Sequence, residues 1–98
     1  CNVSHAIGCG NGLDALMLIL HALNIGPGDE VIVPVNSFIA TALAVERVGA
    51  KSVFVDCNQY NYSLDVDSIE QLINPKTKAI IPVHLYGIPA PMDKVKAI

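Results

Sequence analysis

Between Ala6 and Ala15 the chain reads Ala-Ile-Gly-Cys-Gly-Asn-Gly-Leu-Asp-Ala, with glycine at positions 8, 10 and 12. A short apolar strand that breaks into a helix in this way gathers backbone amides at the positive end of the helix dipole, an arrangement suited to a phosphate. The donors would be the N–H groups of Gly12 and Leu13, which open the helix and have no acceptor within it. Two other positions add to this chemistry. Phe38 offers a flat face, and His84 or Tyr86 a polar tip, so the set suits a planar, phosphorylated ligand.

For these residues to meet, the segments between them must bring their ends to one place. Ala6–Cys9 reads as a short buried strand, and Gly12–Asn24 as a helix whose Leu16, Leu18, Ile19, Leu20 and Leu23 leave little polar face, ended by Gly26-Pro27-Gly28. Asp29–Pro34 is a β-branched run of the kind found in parallel strands buried on both faces. Asn36 or Ser37 is placed to cap a second helix running to Val48, with Gly49 at its C-terminal stop. Lys51–Asp56 reads as a third strand, Asp65 or Asp67 opens a helix to about Ile73 that Asn74-Pro75 breaks, and Ala79–Leu85 reads as a fourth strand. A last helix begins at Pro91. Strands alternating with helices predict an α/β fold, a mostly parallel sheet flanked by helices in three layers. Ligands in such sheets collect beyond the carboxyl ends of the strands, which here are Gly10–Asp14, Val35–Phe38, Asp56–Asn58 and His84–Gly87.

Composition narrows the function. The 98 residues are 52% hydrophobic with only 15% charged and a mean hydropathy of +0.47, yet no apolar stretch approaches the roughly 20 residues of a membrane span. Such apolarity in a short chain predicts a piece of a larger protein. Its start at Cys1 without Met and its stop at Ile98 within an amphipathic helix turn agree with that expectation. The net charge is −3 with six dispersed cations, so the basic patch of a nucleic-acid binder is missing. Cys1, Cys9 and Cys57 are odd in number and lack a CxxC spacing, and His5, His21 and His84 have no second ligand on the same element. No disulfide framework and no metal site is expected, and a reducing cytoplasm is.

Gly10-Asn-Gly12-Leu-Asp-Ala15 also satisfies GxGxxA, the turn of a dinucleotide site. That fingerprint needs an acid at the end of the second strand. Here the strand ends Val33-Pro34-Val35-Asn36, and its acids, Asp29 and Glu30, lie at the other end. A nicotinamide-dependent oxidoreductase remains the alternative, as do a purely structural glycine turn and a noncatalytic remnant.

The ordered segments GNGLDAL (10–16), IGPGDEVIVP (25–34), NSFIATALAV (36–45), GAKSVFVD (49–56), PKTKAIIPVHLYG (75–87) and PAPMDKV (89–95) resemble the DegT/DnrJ/EryC1/StrS aminotransferases. The wording of GNGLDAL with NSFIATALAV looks most like the members that aminate dTDP-linked 3-keto-6-deoxyhexoses. The resemblance implies the aspartate aminotransferase fold and pyridoxal 5'-phosphate as cofactor, with residues 1–98 a segment of a single cofactor-binding large domain, truncated at both ends. It implies a nucleotide-linked keto sugar as substrate, glutamate as the usual amino donor, and a dimer. By resemblance the cofactor phosphate falls on Gly12 and Leu13, and the ring-stacking aromatic on Phe38. Leu13 departs from the Thr or Ser of many members and has no hydroxyl to add. The family's lysine and its acid for the pyridine nitrogen fall beyond Ile98, so the segment alone is expected to be inactive. Lys51, Lys76 and Lys78 are expected at the amino ends of strands and Lys94 and Lys96 on a surface helix, so none is a substitute. Asp14 reads as a first-turn acid and Asp56 as a loop residue.

Overall fold

The computed structural model describes residues 3–98. Its centre is β1 (Glu30–Pro34), every residue of which is buried. Val31 and Val33 point to one face of the sheet and Ile32 to the other, which is why the run is apolar without alternation. β2 (Lys51–Val55) and β3 (Thr77–Ile80) flank it, both parallel to it, in the order β2-β1-β3. The register runs from Glu30 opposite Lys51 to Pro34 opposite Val55 on one side. On the other it shifts once, between Glu30 and Val31. Pro34 has no N–H to donate but is the last residue of its strand, and the ladder resumes from the Val35 amide to the Val55 carbonyl at 3.0 Å.

Helices cover both faces, giving the three expected layers. On one face α1 (Gly12–Ala22) and α2 (Ala40–Arg47) pack Leu20, Ala44 and Val45 on Val31 and Val33. On the other, α3 (Val66–Leu72) and α4 (Met92–Ala97) pack Ile69, Val66, Met92 and Val95 around Ile32 and Val55. No helix is long and apolar enough to cross a membrane among the described residues.

The helix ends have local causes. In α1, Asn24 at φ 57° allows the Ile25 amide to reach back to the Leu20 carbonyl (3.0 Å) and the Asn24 amide to that of His21 (2.9 Å), with Leu20 and Ile25 both buried. The helix therefore stops at Ala22, before the expected Asn24, and ahead of the Gly-Pro-Gly run. α2 closes the same way through Gly49 at φ 82°, as its sequence position suggests. A Cβ there would lie 3.0 Å from Cγ of Pro27. The exits of α1 and α2 thus touch each other at the amino edge of the sheet.

Three expectations are corrected. Ala6–Cys9 is not a strand: its residues are exposed and pair with no strand among the described residues, and without a ladder partner a glycine-rich extended segment gains nothing. Asn36 and Ser37 do not cap α2, which begins after Ile39 with no side-chain cap. The fourth expected strand starts earlier, at Thr77, and ends at Ile80. Past Ile81, whose amide still bonds Ile32, the ladder stops, and Pro82 could not continue it. Of the two candidate caps, Asp65 rather than Asp67 precedes α3, and its carboxylate accepts from the Ser68 hydroxyl.

The amino edge is held by one side chain. Glu30 opens β1, and its largely covered carboxylate accepts from Lys51 Nζ at 3.2 Å and from Asn74 Nδ2 at 2.7 Å, joining the starts of all three strands. The Asn74 bond first, then Lys51, holds this carboxyl below its ordinary value of 4.5, against the opposing effect of burial. A depressed folded value means that the unfolded chain takes up the proton first. The clamp's contribution is complete above pH 4.5 and is lost as pH falls through the depressed value. Glu30→Gln in the full-length protein is expected to lower the denaturation midpoint at neutral pH and to flatten its decline in acid. Equal acid slopes for the two proteins, read from denaturant titrations across pH, would remove Glu30 from this role.

Candidate functional site

The site begins at the entry to α1. Asn11 is extended (φ −167°, ψ 178°), and its Oδ1 accepts from the Asp14 amide at 2.9 Å while its Nδ2 donates to Asp14 Oδ2 at 3.1 Å. The Ala15 amide reaches the Asn11 carbonyl at 3.0 Å. Of the donors in the first turn, those of Gly12 and Leu13 are left with no partner among the described residues. The space in front of Gly12 is open, with nothing within 4 Å of where a Cβ would stand. At Gly10 the opposite holds: a Cβ would come within 2.6 Å of Asp14 Oδ2, so a side chain there would displace the carboxylate from its place over the turn. The Leu13 side chain is half-buried and packs on the core under α1, so it presents its amide alone to the opening.

Phe38 stands in the turn between β1 and α2. That turn is tied by the Ser37 hydroxyl donating to the Pro34 carbonyl (3.2 Å) and by Asn36 Nδ2 donating to the Tyr62 carbonyl in the loop after β2 (2.9 Å). The Phe38 carbonyl accepts from the Thr41 amide at 3.1 Å, and the ring is 78% exposed and belongs to neither core cluster. α1 and α2 pack against each other and their C-termini meet at the amino edge, where Pro27 abuts Gly49. Their N-termini therefore open toward the opposite edge. The structure brings the Gly12 and Leu13 amides and the Phe38 ring to the carboxyl side of the sheet.

The other sequence candidates separate there. The loop residues after β2 turn inward on their own backbone, with Asp56 Oδ1 accepting from the Cys57 amide (2.8 Å) and Asn58 Oδ1 from that of Tyr60 (2.9 Å). His84 Nδ1 is engaged by the Ala90 amide at 2.9 Å, whereas Tyr86 is 80% exposed. Lys51 is held in the amino-edge clamp, Lys76 precedes β3 and Lys78 lies within it, and Lys94 and Lys96 are exposed on α4. The acids that a dinucleotide site would need are also spent at the amino edge: Glu30 in the clamp, and Asp29 accepting from the Gly26 amide at 3.0 Å. Asn11 is the site residue that sequence reasoning passed over. An Asn three residues before an acid at the start of an apolar helix was the available signal.

The result is a three-layer parallel α/β unit with two unpartnered amides at a helix entry and an exposed aromatic on the same edge. The chain belongs to the DegT/DnrJ/EryC1/StrS aminotransferase family, whose model matches residues 1–98. It is 59% identical over 96 residues to UDP-N-acetyl-3-dehydro-alpha-D-glucosamine 3-aminotransferase of Acidithiobacillus ferrooxidans, covering 98% of this chain and 26% of that protein. It is similar to the crystal structure of DesV from S. venezuelae, with 48% identity and a TM-score of 0.97 over 99% of this chain and 26% of DesV. NtdA from Bacillus subtilis, solved with bound cofactor PMP, gives 48% identity and a TM-score of 0.85 over 88% of this chain and 20% of NtdA. The chain spans about a quarter of the length of the curated relatives it matches.

Removing the Asn11 side chain frees the Asp14 amide and loosens the turn that aims its neighbours. Asn11→Ala is expected to cost about 1 kcal/mol, read from the denaturation midpoint of the full-length protein. A midpoint equal to wild type would show that Asn11 does not cap α1.

Proposed function

We propose that the protein carrying these residues is a pyridoxal-phosphate-dependent aminotransferase that transfers an amino group to a nucleotide-linked keto sugar, and that residues 1–98 are a segment of its single cofactor-binding large domain. The observation that supports it most is the pair of unpartnered amides at Gly12 and Leu13 on the same sheet edge as the exposed Phe38 ring, in a chain of this family. The residues fit the cofactor: two free N–H donors at a helix N-terminus suit its phosphate, and the open space at Gly12 admits it. PMP is bound in NtdA, and the relatives' names carry UDP- and dTDP-linked sugars.

When bound, the cofactor supplies an electron sink that lets an amino group pass between an amino acid and a ketone. The Gly12 and Leu13 amides would hold its phosphate, with Asn11 keeping the first turn in place. Phe38 would cover one ring face and set the ring plane. The lysine that carries the cofactor and the acid that faces the ring nitrogen we assign to sequence beyond Ile98, since no lysine of this segment is placed on its carboxyl edge beside the α1 entry. Glutamate is the proposed donor. A homodimer is the proposed assembly, in keeping with the exposed Leu18, Ile19 and Leu23 along α1. The free thiols of Cys9 and Cys57 suit a reducing cytoplasm.

Full-length protein purified with pyridoxal phosphate is expected to show a visible absorption band that borohydride abolishes; its absence would sink the catalytic reading. Gly12→Pro tests the amides directly. Proline suits the first helical position, and Asn11 before it is already extended, so the helix should survive with one donor deleted. Cofactor affinity is expected to fall about 10-fold or more, the worth of one hydrogen bond to a charged group. Phe38→Ala is expected to weaken cofactor binding about 2- to 10-fold without lowering the denaturation midpoint, because the ring packs in no core cluster. Unchanged affinity in both variants would place the cofactor elsewhere.

A further inference from the structure

Tyr86 stands just beyond β3 with φ 57° and ψ 22°, a left-handed conformation that is costly for an L side chain. Packing of the ring does not offset that cost within these residues, since Tyr86 is 80% exposed. The backbone imposes the conformation instead. The Gly87 amide donates to the His84 carbonyl at 3.2 Å and the Ile88 amide to that of Leu85 at 3.0 Å. The Ala90 amide donates to His84 Nδ1 at 2.9 Å, and Ala90 is buried in the core under α3 and α4. The His84 imidazole thus ties both ends of the loop to a fixed point and leaves the phenol at its tip. Backbone strain held in place by such bonds clusters at residues that meet a ligand.

The loop's position narrows what that ligand is. β3 is hydrogen-bonded to β1, and the exit of β1 carries Phe38. Exposed aromatic rings therefore stand beyond all three strands, Phe38 after β1, Tyr60 and Tyr62 after β2 and Tyr86 after β3, and of the tyrosines Tyr86 is the one on the loop that the His84 imidazole closes. A phenol of this kind matches a hexose, whose CH groups lie against a ring face and whose hydroxyls exchange hydrogen bonds with the Tyr O–H. We propose that Tyr86 is a specificity-determining contact for the sugar ring of the amino acceptor, and that His84 is its positioning residue. This rests on the aminotransferase reading above.

The test uses the full-length enzyme loaded with pyridoxal phosphate, and the variants Tyr86→Gly, Tyr86→Phe and His84→Ala. Glycine accepts the positive φ, so Tyr86→Gly removes the ring without adding strain, and its thermal midpoint is expected to stay at or above wild type. Calorimetry measures binding of UDP- and dTDP-linked hexoses that carry a hydroxyl in place of the ketone, using whichever binds the wild type more tightly. Tyr86→Gly is expected to weaken this binding about 10- to 100-fold, with Tyr86→Phe between it and wild type. The visible band, and its loss on adding glutamate, are expected to be unchanged in both. His84→Ala is expected to weaken sugar binding in the same direction while leaving the glutamate half alone, which a merely structural residue would not do. Unchanged sugar affinity in Tyr86→Gly overturns the proposal, as does an equal loss in the glutamate half. No visible band in the wild type would overturn the aminotransferase reading and this contact with it.

Discussion

Burial of β1 on both faces, with a parallel partner on each side, is the constraint from which the rest follows. A central strand with no exposed face obliges helices to lie on both sides of the sheet, and parallel pairing obliges each connection to cross from the carboxyl edge back to the amino edge. Every strand therefore exits on the same side. The loops carrying Phe38, Tyr60, Tyr62 and Tyr86 are gathered there by topology before any loop residue contributes an interaction of its own.

The two edges have opposite characters. At the amino edge the groups are satisfied: Glu30 is bonded to Lys51 and Asn74, Asp29 to the Gly26 amide, and the exits of α1 and α2 close on their own carbonyls with Pro27 seated against Gly49. At the carboxyl edge the Gly12 and Leu13 amides have no partner among the described residues, two tyrosines, Tyr62 and Tyr86, sit at φ 57°, and aromatic rings face outward. Positive φ occurs on both edges, at Asn24 and Gly49 on the amino edge, where it closes a helix, whereas the unpaired Gly12 and Leu13 donors, unfavourable in isolation, stand away from the edge that holds the sheet together.

Features that depend on one element alone could be read from the chain. Asp29–Pro34 is β-branched and uninterrupted and Gly49 follows an apolar helix, so β1 and the end of α2 were apparent, while the start of α3 was narrowed to Asp65 or Asp67. Features that depend on a partner were not. Ala6–Cys9 has a strand's composition but no neighbour among the described residues, and Ala79–Leu85 outruns the part of β1 with which it can pair. Asn36 and Ser37 have capping side chains that tie the turn instead, to the Tyr62 and Pro34 carbonyls, and the first of these acceptors is 26 positions away in sequence. The positions of Gly12 and Leu13 at a helix entry and of Phe38 beyond a strand were readable because both are local. The engagement of His84 by Ala90 was not, since it exists only once the loop has closed.

Asp14 sets a condition on how an anion could be held at α1. Its carboxylate benefits from the helix dipole and folds back over Gly10, so a phosphate would arrive beside a negative charge. Asn11 eases that conflict by donating Nδ2 to Asp14 Oδ2, which holds the carboxylate to the side, while its Oδ1 occupies the Asp14 amide. Both effects would leave an incoming anion the two remaining amides, those of Gly12 and Leu13. With the Leu13 side chain committed to the core, this segment contributes those backbone donors at the α1 entry and no hydroxyl there. The positive charge that offsets both the phosphate and Asp14 would then come from outside these residues, because none of their lysines is placed at that entry.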